Sequence, residues 1–367
     1  MDEQTALVAL TLVEGMGPAR IRRLEKHFGS AAAAWAQRAR WRSVQGFSES
    51  IVARALAVTD ADVERQLRGM ERLGVRLVTD GDPEYPAQLL HLPNPPRALF
   101  VRGRLPQGRG SCVAIVGTRR PSPTGESVAY TLARDLAAVG LVVVSGLARG
   151  IDRAAHEGAL AGQGITIAVL GCGVDVAYPP EHAELLEAIA ERGAVVSEYP
   201  LGTEPRRAYF PVRNRIVAGM SQGVVIVECG HRSGALYTAN VALELGREVM
   251  AVPGDVTRWQ SDGPNSLIRQ GATLVRHAAD VLLALGWTAP PATARAQAAA
   301  AAEAEPARDE DAAARVQRYL AANGPASVDE LAVALRLAVP DVAAAVTWME
   351  LLGKVRRVTG GRFAACR

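Results

Sequence analysis

Residues 145–160, SGLARGIDRAAHEGAL, are the most informative segment for the architecture of the central part of this chain. It follows the apolar run LVVV at 141–144, and it changes from a small-residue turn to a helical pattern. Ser145 and Gly146 allow close approach to the backbone, Arg149 adds charge, and the N-terminus of the helix that follows favours anions. By itself the loop fits either a phosphate-binding site or the tight turn that any parallel sheet needs here.

Short apolar runs like the one before this loop recur along the chain and alternate with amphipathic segments. They are VAIVG from 113, LVVVSG from 141, TIAVLG from 166, AVVSEY from 194, GVVIVEC from 223 and EVMAVPG from 248. Continuous apolar strands separated by helices are typical of a parallel sheet covered on both faces. We therefore predict an α/β domain over residues 71–287, with a doubly wound, mostly parallel sheet.

The N-terminal segment, residues 1–70, has apolar residues at helical spacing on both sides of a break at Gly15-Met16-Gly17. A second and weaker unit has its turn at Gly46-Phe47-Ser48. Two such units predict one small helical bundle.

The C-terminal part begins with an Ala- and Pro-rich stretch, residues 288–312, which we interpret as a flexible linker. Residues 313–367 then predict helices at 313–322, 327–335 and 340–352 and a hairpin at 354–364, the pattern of a winged helix. This segment holds eight basic and four acidic residues. Nucleic-acid binding and protein docking both remain open for it.

The charge balance excludes few classes of partner, but the cysteines, histidines and apolar stretches limit which kinds of site the chain can hold. Over 367 residues, 41 lysines and arginines stand against 38 acids, and only two of the basic residues are lysines, so only local clustering of arginine is informative. The four cysteines and six histidines show no metal-ligand spacing. The acidic N-terminus is unlike a secretory signal, and no apolar stretch reaches about 20 residues. We expect a cytoplasmic protein without membrane segments, metal or cofactor.

Residues that follow the predicted strands should converge, because ligands of a doubly wound sheet bind outside the carboxyl ends of its strands. After the strand at 113 come Thr118, Arg119, Arg120 and Ser122, and Arg149 follows the strand at 141. Two more residues of this kind, Arg232 and Ser233, follow the strand at 223. The sequence therefore predicts a basic, hydroxyl-rich cleft at this edge.

The segment RRAYFPVRNR, residues 206–215, holds four arginines, two aromatic residues and no acid. Arginine forks neutralise phosphates while aromatic faces stack on bases, a combination that suits single-stranded nucleic acid. The alternative is that Tyr209 and Phe210 are core residues and the arginines a solvated helix face.

Other chemistries fit the sequence less well. Neither the glycine pattern of a dinucleotide fold nor that of an ATP-binding P-loop is present. His156 and His182 are interpreted as packing or capping residues. Glu198 and Glu228, near the predicted cleft, are interpreted as partners for arginines rather than as catalytic acids.

Seven motifs in order link this chain to a known family. They are VGTRRPSPTGE (116–126), SGLARGID (145–152), GCGVDVAYPPEH (171–182), SEYPLG (197–202), FPVRNRIVAGMS (210–221), VVIVECGHRSGALYTA (224–239) and VPGD with GPNSLIRQGA (252–272). With these, the chain closely resembles the DNA-processing protein A family, also called Smf.

The resemblance implies an extended Rossmann-like domain that binds single-stranded DNA, forms homodimers and loads the RecA recombinase during natural transformation. Matched motif by motif, it implies phosphate contacts at the first two strand ends, from Thr118, Arg119, Ser122, Ser145 and Gly146. It also implies that Arg207 and Phe210 enter from a loop and that Arg213, Asn214 and Arg215 enter from the helix after it. The residues that we predict for this site are Thr118, Arg119, Arg120, Ser122, Ser145, Gly146, Arg149, Arg206, Arg207, Phe210, Arg213, Asn214, Arg215, Arg232 and Ser233.

The flanking modules resemble a helix-hairpin-helix or SAM-like unit and a winged helix, either of which offers a route to double-stranded DNA. An alternative function comes from the cytokinin-type nucleoside monophosphate phosphoribohydrolases, which share the sheet and have a glycine-rich loop where this chain has residues 229–234. Their Pro-Gly-Gly-x-Gly-Thr-x-x-Glu motif is absent here. A purely structural adaptor would leave the 206–215 cluster without a role. We therefore expect a non-enzymatic single-strand binder.

Overall fold

The computed structural model describes residues 1–106, 111–287, 312–335, 337–351, 354–358 and 361–366. Its central feature is a nine-stranded sheet. The strands are β1 (Val75–Thr79), β2 (Ala98–Gly103), β3 (Cys112–Val116), β4 (Val142–Ser145), β5 (Thr166–Leu170), β6 (Ala194–Ser197), β7 (Gly223–Ile226), β8 (Glu248–Ala251) and β9 (Thr273–Leu274). Their spatial order is β1-β2-β6-β5-β4-β3-β7-β8-β9.

Strands β3 to β9 are parallel, and β2 runs antiparallel to both of its neighbours, β1 and β6. All six predicted strands are present, which confirms the doubly wound, mostly parallel sheet. The strands β1, β2 and β9 were not singled out from the sequence. From β3 the chain proceeds through β4, β5 and β6 to one side and then crosses to β7, β8 and β9 on the other. The topological switch point therefore lies between β3 and β7.

Helices cover both faces of this sheet because successive strand residues point to opposite sides. The helices that follow the first strands are α6 (Pro123–Ala138), α7 (Ile151–Ala161), α8 (Ala183–Arg192), α9 (Tyr209–Met220), α10 (Gly234–Glu244), α11 (Asp262–Arg269) and α12 (Ala278–Ala284). In β3, Val113 and Ile115 join the hydrophobic cluster of α6, α7 and α12, whereas Ala114 and Val116 join that of α9 and α10. Each face thus has its own buried layer.

The N-terminal segment forms the predicted helical bundle. Its helices are α1 (Glu3–Leu12), α2 (Pro18–Phe28), α3 (Ala31–Ala36), α4 (Glu49–Ala57) and α5 (Asp60–Leu73), with a 3₁₀ turn at Arg38–Ser43. Both predicted turns are present, with Gly15 and Gly46 at positive φ. The bundle shares one hydrophobic cluster with the sheet, to which Phe100 and Leu170 contribute, so it packs onto the β2 and β5 end of the central domain.

The C-terminal module has helices at Ala312–Asn323, Val328–Leu335 and Val339–Leu351 and the antiparallel strands β10 (Val355–Val358) and β11 (Arg362–Ala365). Ala326 adds a bridge to Phe363, which completes a winged helix as predicted. The predicted linker, 288–312, lies outside the described residues except at Ala312. Within the described residues no single helix is long and apolar enough to span a membrane; one sharply bent pair, at 328–350, meets the criteria of length and composition only when its two helices are combined.

Candidate nucleic-acid interface

A cleft of about 550 Å³ opens at the switch point, at the carboxyl ends of β3 and β7. Its walls come from the segments after β3, β4, β7 and β8, from the start of α7 and from the first two turns of α9 and α10. The described lining residues are Val116, Gly117, Thr118, Arg119, Arg120, Ala148, Asp152, Phe210, Pro211, Arg213, Asn214, Gly230, Arg232, Ser233, Gly234, Ala235, Tyr237, Thr238 and Trp259. The cleft therefore lies where an open α/β sheet binds its ligands.

Three exposed arginines, Arg119, Arg120 and Arg232, give the cleft its charge. Among the described residues, none of the three side chains forms an ion pair or a hydrogen bond. The Arg119 guanidinium lies 5.1 Å from the centre of the Phe210 ring, a cation–π contact that leaves its N–H groups open. These charges are available to an anion, because no carboxylate of the described chain neutralises them.

The loop after β4 differs from the open phosphate cradle expected from its sequence. Ser145 is fully buried, and its Oγ donates to the carbonyl of Ile115 at 2.7 Å. A methyl group at Gly146 would overlap the guanidinium of Arg213, so the glycine makes room for that side chain. Within the described residues, the small-residue turn thus accommodates an internal arginine at the positions where a phosphate was expected.

Arg213 itself is only 4% exposed and donates to the carbonyls of Gly146, at 2.5 Å, and Val169. Burial lowers the pKa of its guanidinium, and burial raises the pKa of the neighbouring Asp152 carboxyl. Asp152 accepts a long hydrogen bond, 3.4 Å, from the backbone N–H of Ala148. These two residues brace the floor of the cleft, which is a different role from the direct phosphate contact expected for Arg213.

Ser122 is also engaged internally. It caps α6, and both its backbone N–H, at 2.8 Å, and its hydroxyl, at 2.6 Å, donate to the carboxylate of Glu228. Among the described residues no arginine pairs with Glu228, so the predicted arginine partnership does not hold there. It does hold for Glu198, which accepts from Arg215 at 2.5 and 2.6 Å in a pair with little solvent exposure.

Several arginines predicted for the site are neutralised by acids from distant parts of the chain. Arg206 donates to Glu14 of the N-terminal bundle at 2.7 Å, and Arg149 donates to Glu181 at 2.5 Å. Both pairs are solvent-exposed. Arg207 is exposed and has no such partner among the described residues. Of the 206–215 cluster, Phe210, Arg213 and Asn214 line the cleft, whereas Arg206, Arg207 and Arg215 do not.

The remaining predicted polar residues lie on the cleft wall. Thr118 Oγ1 accepts from the backbone N–H of Arg120 at 3.2 Å, and Ser233 Oγ caps α10. Asn214 Nδ2 donates to the carbonyl of Gly234 at 3.1 Å and so ties the second turn of α9 to the first turn of α10. These contacts fix the part of the cleft wall on which Thr118, Asn214 and Ser233 lie.

The two histidines have the packing roles predicted for them. His156 Nδ1 pairs with Thr166 Oγ1 at 2.7 Å, and His182 Nδ1 lies 3.0 Å from the carbonyl of Leu147. Burial, together with the positive charge of Arg213, lowers the pKa of His156 to about 3. His156 is therefore neutral at physiological pH.

Sequence reasoning missed two aromatic residues of the cleft. Tyr237 is 44% and Trp259 is 52% exposed. Tyr237 lies inside a helical pattern, and Trp259 lies in an irregular segment, so neither carries a spacing signal. Their one signal in the sequence is that each follows a predicted strand in a chain with only 5% aromatic residues.

Comparison with known proteins gives two family matches. Residues 76–286 match the model of the DNA recombination-mediator protein A family, and residues 297–361 match that of the DprA winged helix domain. The chain is 33% identical to protein Smf of a Synechocystis species over 395 aligned positions, covering 99% of this chain and 98% of that protein. It is 43% identical to protein Smf of Escherichia coli over 62% of each chain.

Two solved structures are similar to the chain. DNA processing protein A from Streptococcus pneumoniae superposes with a TM-score of 0.67 at 32% identity, over 77% of this chain and 98% of that one. The Helicobacter pylori protein, described with a unique single-stranded DNA binding mode, gives a TM-score of 0.51 at 31% identity, over 57% of this chain and 95% of that one.

Proposed function

This chain belongs to the DNA recombination-mediator protein A family, also known as DprA or Smf, and we propose that it binds single-stranded DNA in the cleft at the sheet's switch point. The observation that carries the proposal is the group Arg119, Arg120 and Arg232, three exposed cations without an acidic partner in the described chain. Their charges, next to exposed aromatic rings, match a strand that offers phosphates and unstacked bases.

The division of roles within the cleft follows from burial. Arg119, Arg120 and Arg232 contact phosphates, Thr118 and Ser233 donate hydroxyl hydrogen bonds, and the buried residues beneath them keep this wall in place. Arg207, exposed outside the cleft, extends the path of the strand. Such contacts go to the backbone and to ring faces, so binding varies little with base sequence.

We further propose that the protein acts without catalysis. Asp152 is the one carboxylate among the described residues that line the cleft, and it is buried and accepts from the loop backbone. A phosphoribohydrolase, the alternative on this sheet, needs an acid at the sugar. Incubation with nucleoside monophosphates should therefore release no free base. Release of base at an enzymatic rate would contradict this proposal and support the phosphoribohydrolase function.

In the cell, the protein is proposed to protect incoming DNA in the cytoplasm and to load RecA onto it during natural transformation. Family membership supports this role, because the family is that of recombination mediators. The test is RecA filament formation on single-stranded DNA covered by a single-strand-binding protein. We expect this chain to shorten the delay before filaments grow, and an unchanged delay would contradict the loading role.

A homodimer is proposed through the later part of the sheet domain. Leu243 on α10, Leu274 on β9 and Leu283 on α12 are 57%, 42% and 83% exposed, and burying such side chains favours association. Sedimentation should give a dimer that Leu283→Glu weakens. A monomer at all concentrations would refute the proposal.

Double-stranded DNA is proposed as a ligand of the N-terminal bundle. Residues 14–57 hold eight basic and three acidic residues. Arg54 donates to the carbonyl of Glu14 at 3.0 Å, and Arg23 donates to that of Gln45 at 2.7 Å, so each hairpin turn is braced by an arginine of the other unit. Charge reversal of the exposed Arg40 should weaken duplex binding without altering single-strand binding. Equal loss of both would move the duplex to the central cleft.

The experiment that tests the central proposal is a titration of the intact protein with labelled oligothymidine, with unlabelled single and double strands as competitors. We expect the single strand to compete at least tenfold better than the duplex. Combined replacement of Arg119 and Arg232 by alanine should reduce single-strand affinity strongly. Unchanged affinity of that variant would contradict the location of the site.

A further inference from the structure

Trp259 lies at the mouth of the cleft and is half exposed, which is unusual for a tryptophan. Trp35 and Trp41, in comparison, are 3% and 0% exposed in the N-terminal core. Trp259 begins a single 3₁₀ turn, Trp259–Ser261, directly before α11. Exposed indole surface is unfavourable in water, so binding of a ligand that covers this surface is favoured.

The indole is held in place by the backbone around it. The N–H of Cys229, just after β7, donates to the carbonyl of Gln260 at 2.7 Å, and the N–H of Gly263 donates back to the carbonyl of Cys229 at 2.9 Å. These two bonds fasten the Trp259 turn to the loop that follows β7. The backbone that carries the ring is thereby ordered before a ligand binds, which lowers the entropic cost of binding.

Gly230 is the residue against which the ring packs. A Cβ at this position would lie 3.1 Å from Cε3 of Trp259, closer than carbon atoms pack without adjustment. The absence of a side chain lets part of the indole rest on the backbone, while about half of its surface stays open.

Charged and aromatic neighbours surround this open surface. Arg232 follows Gly230 by two residues, Tyr237 stands 44% exposed on the first turn of α10, and Phe210 lines the same cleft from α9. The Arg119 guanidinium covers one face of the Phe210 ring in a cation–π contact. In the described chain no cation covers the Trp259 ring in this way. Trp259 is thus an aromatic platform next to a cation that has no partner.

We propose that Trp259 is a base-stacking platform: an unpaired nucleobase of the bound strand stacks on its exposed face while the adjoining phosphate contacts Arg232. This inference rests on the proposed single-strand binding. Stacking uses the ring face that every base has, so it adds affinity without sequence preference. It also requires an unstacked base, so it favours a single strand over a duplex, a preference that arginines alone do not provide.

The test uses the two exposed tryptophans of the full-length protein. Trp348 of the winged helix, 38% exposed, is the matched control for Trp259. Adding oligothymidine should quench the indole fluorescence of the natural protein and of Trp348→Phe, and the quench should be lost in Trp259→Phe. Thermal unfolding of each variant checks that the fold is retained, and Phe, which keeps a ring, should bind more tightly than Ala.

Affinity measurements with an abasic oligonucleotide separate stacking from charge. Trp259→Ala should weaken oligothymidine binding about tenfold. An abasic strand of the same length and charge should bind the natural protein and this variant equally. A tenfold loss on both strands, or no loss on either, would overturn the platform.

The outcomes also separate this inference from the proposed function. Salt-dependent binding that needs Arg119 but ignores Trp259 would remove the stacking platform and leave single-strand binding in place. Absence of any single-strand binding by the natural protein would overturn both. Retained single-strand binding with quenching of Trp259 only on addition of RecA would assign the exposed ring to a protein interface and contradict the platform.

Discussion

Replacing Arg119 by alanine should reduce the salt dependence of single-strand binding by a defined amount. The side chain is exposed at the cleft, has no acidic partner among the described residues and is oriented by the Phe210 ring. It is therefore expected to neutralise one phosphate. Each phosphate neutralised on a single strand contributes about 0.7 to the slope of log affinity against log salt.

The three arginines without an acidic partner in the described chain set the size of this effect. If Arg119, Arg120 and Arg232 each neutralise one phosphate, together they contribute about 2.1 to this slope. A fourfold rise in salt concentration then weakens binding about 18-fold through these three contacts. For Arg119→Ala, which keeps two of them, the same rise should weaken binding about 2.6-fold less. The loss should be the same for every homopolymer, because a phosphate contact carries no base information.

The assay is fluorescence anisotropy of a labelled oligothymidine, titrated with full-length protein at several salt concentrations. Arg192→Ala is the matched control, because this exposed arginine precedes β6 and therefore lies at the opposite, amino-terminal edge of the sheet. Arg149→Ala should change the slope less than Arg119→Ala does, since Glu181 already pairs with Arg149.

Two results would contradict a phosphate contact at Arg119. A slope that Arg119→Ala leaves unchanged would mean that this charge meets no phosphate. An equal drop in Arg192→Ala would mean that diffuse surface charge, rather than the cleft, holds the strand.

Three further predictions concern the framework beneath the cleft. Gly146→Ala should displace Arg213 and destabilise the fold by about 1–3 kcal/mol, which thermal unfolding would register, and an unchanged midpoint would contradict the close approach. Glu198→Ala should cost about 3 kcal/mol by leaving the nearly buried Arg215 unpaired; denaturant unfolding with a loss below 1 kcal/mol would show the pair to be dispensable. The pKa of His156 is lowered to about 3, so this side chain stays neutral in the folded protein, whereas in the unfolded chain it takes up a proton below about pH 6.5. The free energy of unfolding should therefore decrease as the pH is lowered, by about 2 kcal/mol between pH 7 and pH 5. The His156→Gln variant should lose this share of the pH dependence in parallel denaturation curves, and identical curves would refute the assignment.

The sequence predicted the strands that form the middle of the sheet because their burial requires continuous apolar runs. Strands β1, β2 and β9 lie towards the sheet's edges, and they depend on pairing partners distant in sequence. β2, for example, pairs Phe100 with Ser197 of β6. Local pattern carries no information about such a partner.

The candidate site shows the same division. Position after a strand predicted Arg119, Arg120 and Arg232 correctly as residues of one cleft, because topology brings strand ends together. Composition could not distinguish them from Arg206, whose partner Glu14 is 192 positions away. Nor could it identify Arg213 as internal, because that depends on the space above Gly146.

Ultraviolet crosslinking of a 5-iodouracil oligonucleotide to the full-length protein, with the adducts mapped by mass spectrometry, shows whether the single strand lies in the cleft. Iodouracil reacts with aromatic side chains that stack on it. We expect adducts at Phe210, Tyr237 or Trp259, which lose intensity in the Arg119→Ala protein. Adducts confined to the N-terminal bundle or the winged helix would contradict single-strand binding in the cleft.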